Sequence, residues 1–251
     1  MFLDGHTSTY VRTVTERLRS LFGEDLLGVY LVGSGSMGGF DPQKSDVDLA
    51  AVVSGSLSLE HKREAVRRLS HAALSCPVRK LELVVYGAQA VEGPSPSLRW
   101  ELNLNTGAAV GVEASFDPGA EPGHWFVLDV AMAREQARAL FGPPPQDVLG
   151  EIERGRVLRA LLASLRWHRE NDWEGVQSVL NACRAWRWLE EKTWSPKPVA
   201  AAWAHGRVDD PGLIDDALAR GTDGSSALDK DAVLRLVKNV ERRIEQSLGE
   251  S

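Results

Sequence analysis

Apolar positions recur at helical spacing over residues 10–22, where Val11, Val14, Leu18 and Leu21 share one side. The run Leu26-Leu27-Gly28-Val29-Tyr30-Leu31-Val32 follows and stops at Gly33, the pattern of a short buried strand. Asp46 to Val53 predicts a second strand, closed by Ser54-Gly55. Residues 58–75 return to a helical period, with Leu59, Val66, Leu69 and Leu74 apolar among Lys62, Arg63, Arg67 and Arg68. Val78 to Tyr86 predicts a third strand, and Leu98 to Thr106 and Val110 to Phe116 two more, parted at Gly107. Short strands with helices between them give an α/β (α+β) class with a mixed sheet flanked by helices.

Further along, the period is helical. His124 to Leu140 predicts one helix, stopped by Phe141-Gly142-Pro143-Pro144-Pro145. Ile152 to Trp167 carries Leu158, Leu161, Leu162 and Leu165 on one side, and Val176, Val179, Leu180, Cys183 and Trp186 form a second stripe. Ser195-Pro196 opens a third helix with proline in a favourable first-turn place, and 210–220 and 229–248 supply the rest. The Gly-Pro cluster is the linker candidate, so the chain divides into an α/β domain over 1–142 and an all-helical domain over 146–251.

Composition narrows the classes. At 251 residues, 43% apolar and 25% charged, the chain reads as an ordinary globular protein. A formal net charge of −6 argues against nucleic acid as the main partner, since phosphate binding wants a basic face, and suits a small cationic substrate. Cys76 and Cys183 make neither a disulfide framework nor a cysteine metal site, which fits a reducing cytoplasm. The first residues lack a basic segment followed by an apolar core, and no apolar run approaches the roughly 20 residues of a membrane span. A signal peptide and a membrane partner are therefore not expected. The oligomeric state is not legible, and a monomer is the simpler expectation.

The candidate chemistry lies in three places. Gly33-Ser34-Gly35-Ser36 follows the first strand, and a glycine-rich turn into a helix exposes backbone N–H groups that can hold a phosphate. It matches neither of the two common nucleotide fingerprints, and an ordinary strand-to-helix turn is the alternative. In Ser45-Asp46-Val47-Asp48 the strand period puts Asp46 and Asp48 on one face. Paired carboxylates repel, and a Mg²⁺ ion bound to substrate phosphates relieves the repulsion; a solvated strand end is the alternative. Glu82 shares its side with Lys80, Val84 and Tyr86, where a neighbouring strand could set it beside Asp46 and Asp48. Its alternative is an exposed face on which Glu82 pairs with Lys80, and Glu92, Glu101 and Glu113 compete for the same role.

Six of the eight tryptophans fall between Trp167 and Trp203, most of them as helical core. Trp167-His168-Arg169-Glu170-Asn171-Asp172-Trp173-Glu174 is expected to break its helix, and its mixture of rings and acids suits an ammonium or guanidinium ligand. The six histidines have no metal-ligand spacing.

Gly33-Ser34, then Ser45-Asp46-Val47-Asp48, then Glu82 in a later strand resembles the nucleotidyltransferase superfamily. Val179-Leu180-Asn181-Ala182-Cys183-Arg184-Ala185-Trp186 followed by Ser195-Pro196-Lys197-Pro198-Val199-Ala200-Ala201-Ala202-Trp203-Ala204 is similar to the C-terminal domain of the aminoglycoside (3'')(9) adenylyltransferases, the streptomycin and spectinomycin resistance enzymes. The resemblance runs from about Leu26 to about Trp203. It implies a nucleotidyltransferase domain that holds MgATP and a helical domain that closes the cleft over both substrates. It implies Asp46, Asp48 and Glu82 as Mg²⁺ ligands, with Glu82 also the catalytic base. Ser34, Ser45, Asp129, Arg184 and Lys197 match nucleotide contacts, and Trp167 and Asp172 match the drug site.

Glu174 is the nearest acid to a further drug-binding Asp of those enzymes, from a loop about two residues shorter after Trp173. Where they carry a drug-site Trp shortly after the equivalent of Glu101-Leu102, this chain reads Asn103-Leu104-Asn105-Thr106-Gly107, with Trp100 and Trp125 as possible substitutes. The implied activity is Mg-dependent transfer of AMP from ATP to an aminoglycoside hydroxyl with release of pyrophosphate. The alternatives are an adenylyltransferase acting on another small hydroxylated cation or on a protein hydroxyl, and a non-catalytic nucleotide-binding homologue.

Overall fold

A computed structural model describes residues 3–88, 98, 100–220 and 227–250. It divides into two compact units, Met1–Ile152 and Glu153–Ser251.

The first unit is built on a six-stranded mixed sheet. Its strands are β1 (Leu26–Leu31), β2 (Val47–Val53), β3 (Leu81–Gly87), β4 (Trp100–Gly107), β5 (Gly111–Ser115) and β6 (Arg138–Phe141). Their spatial order is β5-β4-β3-β2-β1-β6. Among the described residues only the β2–β3 pair is parallel. A parallel pair needs a crossover, and helix α3 (Leu59–Leu69), capped by Ser58 Oγ accepting from His61 N, lies in it.

Strand alternation sorts this sheet's side chains. One face carries Val29, Leu31, Leu49, Ala51, Val53, Leu81, Leu83, Val85, Leu102 and Leu104, all buried in one core with α1 (Gly5–Phe22) and α3. Helix α1 contributes Tyr10, Val11, Val14, Leu18 and Phe22, a stripe of helical period. Its first turn is closed by Asp4, whose carboxylate accepts from His6 N and Thr7 N at 2.9 and 3.0 Å. The opposite face carries Asp48, Ala50, Glu82, Val84, Asn103 and Asn105. Near one end of that face Trp100 packs on Phe126 of α4 (Gly123–Gln136), ring centroids 5.2 Å apart.

Two expectations change here. The helix predicted over His124–Leu140 ends at Gln136, and Arg138–Phe141 forms an edge strand antiparallel to β1. Its residues have no strong helix breaker, but the outer edge of β1 has backbone groups to satisfy, and pairing there overrides local propensity. The helix break expected within Trp167–Glu174 is present but comes late: α6 (Arg154–Asn171) runs on to Asn171 and stops at Asp172. Among the described residues, no helix is long and apolar enough to cross a membrane.

The second unit is helical. A short helix α5 (Pro145–Val148) still belongs to the first unit. After it come α6, α7 (Val176–Glu191), α8 (Lys197–His205), α9 (Pro211–Arg220) and α10 (Lys230–Gly249). Helix α7 is the hub, packed by the other four, with Val176, Val179, Leu180, Cys183, Trp186 and Trp188 buried. Trp194 is buried against Trp188, and Trp203 meets Trp186 edge-on. Both cysteines are free and buried.

Candidate active site

The strand period and the β2–β3 register bring the acids together. Asp48 on β2 is the direct cross-strand partner of Glu82 on β3. In the same row, Glu82 faces Asn105 of β4, and Asn105 faces Glu113 of β5. Asp46 lies just before β2, where Val47 N donates to Lys80 O at 3.0 Å and fastens the two segments together. Asp129 on α4 is close enough that its charge reaches both Asp48 and Tyr86.

Two glycines make these approaches possible. Gly33 opens the short helix α2 (Gly33–Met37) with φ of 60°, and a Cβ there would sit 2.0 Å from Asp48 Oδ2. The Asp48 carboxylate thus lies against bare backbone. A Cβ on Gly107 would sit 2.2 Å from Arg79 O and 2.9 Å from Lys80 Cα, so the missing side chain lets the Arg79-Lys80 segment lie on the end of β4.

The electrostatics follow. Burial pushes the Asp48 carboxyl well above the usual carboxylate range, and the negative charges of Glu82, Asp46 and Asp129 push the same way against the opposing charge of Lys80. Tyr86, fully buried on the same strand as Glu82, is also raised, by burial and then by Asp129. The basic residues answer this charge. Arg79 grips Asp46 with two hydrogen bonds, Nε to Oδ1 at 2.7 Å and Nη2 to Oδ2 at 2.6 Å. Lys80 Nζ contacts Glu82 Oε1, donates to Asn105 Oδ1 at 3.2 Å, and stands 4.0 Å from Asp46 Oδ2.

The pairing of Glu82 with Lys80, read from sequence as an alternative to catalysis, is therefore present, in the same place as the carboxylate cluster. Of the competing acids, Glu101 is bound to Lys62 at 2.7 Å and accepts from Leu57 N, tied to the α3 side of the fold. Glu113 is two strands from Glu82, and Glu92 lies outside the described residues. Ser34 is half-buried within α2, and Ser45 Oγ accepts from Asp41 N at 3.0 Å, closing the turn before Asp46.

Among the described residues, no three His, Cys, Asp or Glu side chains converge as a ready metal site. The donor set nevertheless suits Mg²⁺, which takes hard oxygens and is held by one or two carboxylates, with phosphates and waters completing its shell. The Asp48 carboxyl, raised first by burial and then by the charges of Glu82, Asp46 and Asp129, is a ligand whose ionised form a bound cation would stabilise.

In the helical unit, the residues singled out from sequence are tied to α7. Lys197 Nζ donates to Gln177 Oε1 at 2.6 Å, and Arg184 Nη2 donates to Asn181 Oδ1 at 3.0 Å. Gln177, Asn181 and Arg184 recur at helical spacing along one side of α7, and Asn181 Nδ2 lies 3.0 Å from His168 Nε2. His168 is edge-on to half-buried Trp167. Asp172 Oδ2 accepts from Ser178 N at 2.6 Å, so it satisfies one of the free N–H groups in the first turn of α7, whose N-cap is Gly175. Glu174 is half-buried, and its carbonyl accepts from Leu228 N. The linking residues Gln177, Asn181 and His168 were missed from sequence, although Gln177-to-Asn181-to-Arg184 spacing was there to find. Trp100, one possible substitute for the drug-site ring, is 2% exposed and closed off from ligand; Trp125 is half-buried.

A mixed sheet with a glycine turn after the first strand and acids at the start of the parallel pair is the arrangement the resemblance to nucleotidyltransferases leads one to expect. Comparison with known proteins agrees. Residues 147–243 match the family model described as aminoglycoside adenylyltransferase, C-terminal domain. The chain is 28% identical over 203 residues to spectinomycin 9-adenylyltransferase of Staphylococcus aureus, covering 74% of each chain. Its fold is similar to a crystal structure of spectinomycin adenyltransferase AAD(9) from Enterococcus faecialis with ATP and spectinomycin, at a TM-score of 0.73 and 19% identity, covering 95% of this chain and 99% of that one. The chain is thus similar to the aminoglycoside adenylyltransferases, in the sequence of its helical unit and in its fold.

Proposed function

We propose that the protein transfers AMP from ATP to a hydroxyl of an aminoglycoside-type antibiotic. The observation that carries this reading is the in-register pair of Asp48 and Glu82, with Asp46 beside it. The acceptor oxygen attacks the α-phosphorus in line, the bond from that phosphorus to the pyrophosphate oxygen breaks, and pyrophosphate leaves. Glu82 takes the proton of the attacking hydroxyl, a contribution of roughly 10²–10⁴ in rate for a general base. Asp46 and Asp48 would hold Mg²⁺, with Glu82 at the edge of the same set, and an ion held there would supply charge neutralisation to the phosphates.

Ser34 and Ser45 contact the nucleotide beside these carboxylates, together with Asp129. Arg184 and Lys197 supply positive charge for the triphosphate. Trp167, Asp172 and Glu174 hold the cationic acceptor through a ring and two carboxylates. This is a cytoplasmic resistance enzyme on the same reading, acting on small molecules and not on nucleic acid or membrane.

One observation favours a second reading with the same chemistry and a different acceptor. The drug-site Trp of the resistance enzymes has no counterpart after Glu101-Leu102, and Trp100 is buried. Calorimetric titration of streptomycin and of spectinomycin into the protein with a non-transferable MgATP analogue separates the two. Binding of either drug supports the antibiotic reading. No heat with either leaves AMP transfer to another hydroxylated cation.

A further inference from the structure

The acids of the first unit already hold a cation of the protein's own. The Lys80 side chain is 20% exposed, and its ammonium faces three oxygens from three segments: Glu82 Oε1 in contact, Asn105 Oδ1 at 3.2 Å and Asp46 Oδ2 at 4.0 Å. An ammonium has three N–H donors and no acceptor, so this oxygen set suits it. The backbone fixes it there, because Lys80 O holds Val47 N and the bare Gly107 lets the segment lie on β4. Two of these three oxygens belong to carboxylates assigned to the metal.

We propose that Lys80 is a resident counter-cation of the carboxylate cluster, competing with the divalent ion for Glu82 and Asp46. Without nucleotide it offsets the repulsion among Asp46, Asp48, Glu82 and Asp129. An ammonium and a divalent cation a few ångströms apart repel, so the ion displaces Lys80 from Glu82 and Asp46 as it binds. The consequence is weak binding of metal alone and stronger binding of metal that arrives on ATP, whose phosphates bring further oxygens. Lys80 is thus a positioning residue that sets metal affinity, and the inference rests on the metal assignment made above.

The test is Mn²⁺ titration of the nucleotide-free full-length chain, with free Mn²⁺ read by electron paramagnetic resonance. Lys80→Met is expected to bind Mn²⁺ about tenfold more tightly than wild type, or more. Lys80→Arg, which keeps the charge, is expected to stay near wild type, and Lys80→Gln serves if Lys80→Met fails to fold by circular dichroism. Adding Asp48→Asn to Lys80→Met should abolish the gain. Unchanged or weaker binding in Lys80→Met, or a gain that survives Asp48→Asn, overturns the proposal while leaving AMP transfer intact. Absence of Mn²⁺ binding from wild type and Lys80→Met alike overturns the metal assignment and this inference together.

Discussion

Asp48 and Glu82 stand opposite one another in the parallel β2–β3 ladder, so the two carboxylates are held by backbone register and not by flexible loops. Asp48→Asn keeps the shape of this side chain and removes its charge. AMP transfer is expected to fall to background. Stability is expected to rise, because the carboxyl is held well above its ordinary range by burial and by neighbouring acids. A raised carboxyl pKa means that ionisation weighs against the folded state. The metal-free wild type therefore loses stability as pH rises from the unfolded value, near 4, through the folded one, and the asparagine variant lacks that loss. Thermal melts in a chelator from about pH 4 to about pH 8 measure the difference between the two curves.

Glu82→Gln removes basicity and keeps volume. The expected result is a fall in kcat of about 10²–10⁴ with nucleotide affinity nearly retained. Steady-state kinetics and a nucleotide titration check the two halves separately. An equal loss of nucleotide binding identifies Glu82 as a metal ligand first. An unchanged kcat moves the base to Glu113 or Glu92, since Glu101 is bound to Lys62.

Gly33→Ala meets both an unfavourable backbone angle and the Asp48 carboxylate, with the new Cβ 2.0 Å from Oδ2. A cost of about 1–3 kcal/mol is expected in urea unfolding. Activity should fall by more than the lost stability accounts for, because the carboxylate itself must move. An alanine variant with wild-type stability and turnover contradicts the close packing described here.

Asp172 has two roles to separate. It accepts from Ser178 N in the first turn of α7, so Asp172→Ala is expected to cost about 1 kcal/mol, while Asp172→Asn keeps an acceptor and most of that stability. Both variants lose the charge proposed to meet a cationic acceptor, and both are expected to weaken it by about one to two orders of magnitude. Calorimetry with melting curves reads the two effects. Unchanged drug affinity in both variants limits Asp172 to that hydrogen bond.

Much of this site was legible in the sequence because strand chemistry has a period of two. That period put Asp46 with Asp48 and Glu82 with Lys80 before any register was known, and the β2–β3 pairing then joined the two groups. What was not legible came from pairing across the sheet and between helices. Arg79 meets Asp46 and Asn105 meets Lys80 only because β2, β3 and β4 lie side by side. Edge strand β6 was read as helix, since only the neighbouring edge of β1 makes Arg138–Phe141 extended. The bond of Asp172 was hidden for a similar reason: the break between Asn171 and Val176 was legible as a stretch rich in acids, but not that Asp172 would reach across it to accept from Ser178 N in the first turn of the next helix.

The most direct test of the account is transfer of label from ATP marked at the α-phosphate, with Mg²⁺ present and spectinomycin or streptomycin as acceptor. The expected result is a drug product heavier by one AMP, made by wild type and lost in Asp48→Asn and Glu82→Gln. Label that stays in ATP with both drugs, under conditions where each is soluble and the protein is folded, contradicts the antibiotic assignment.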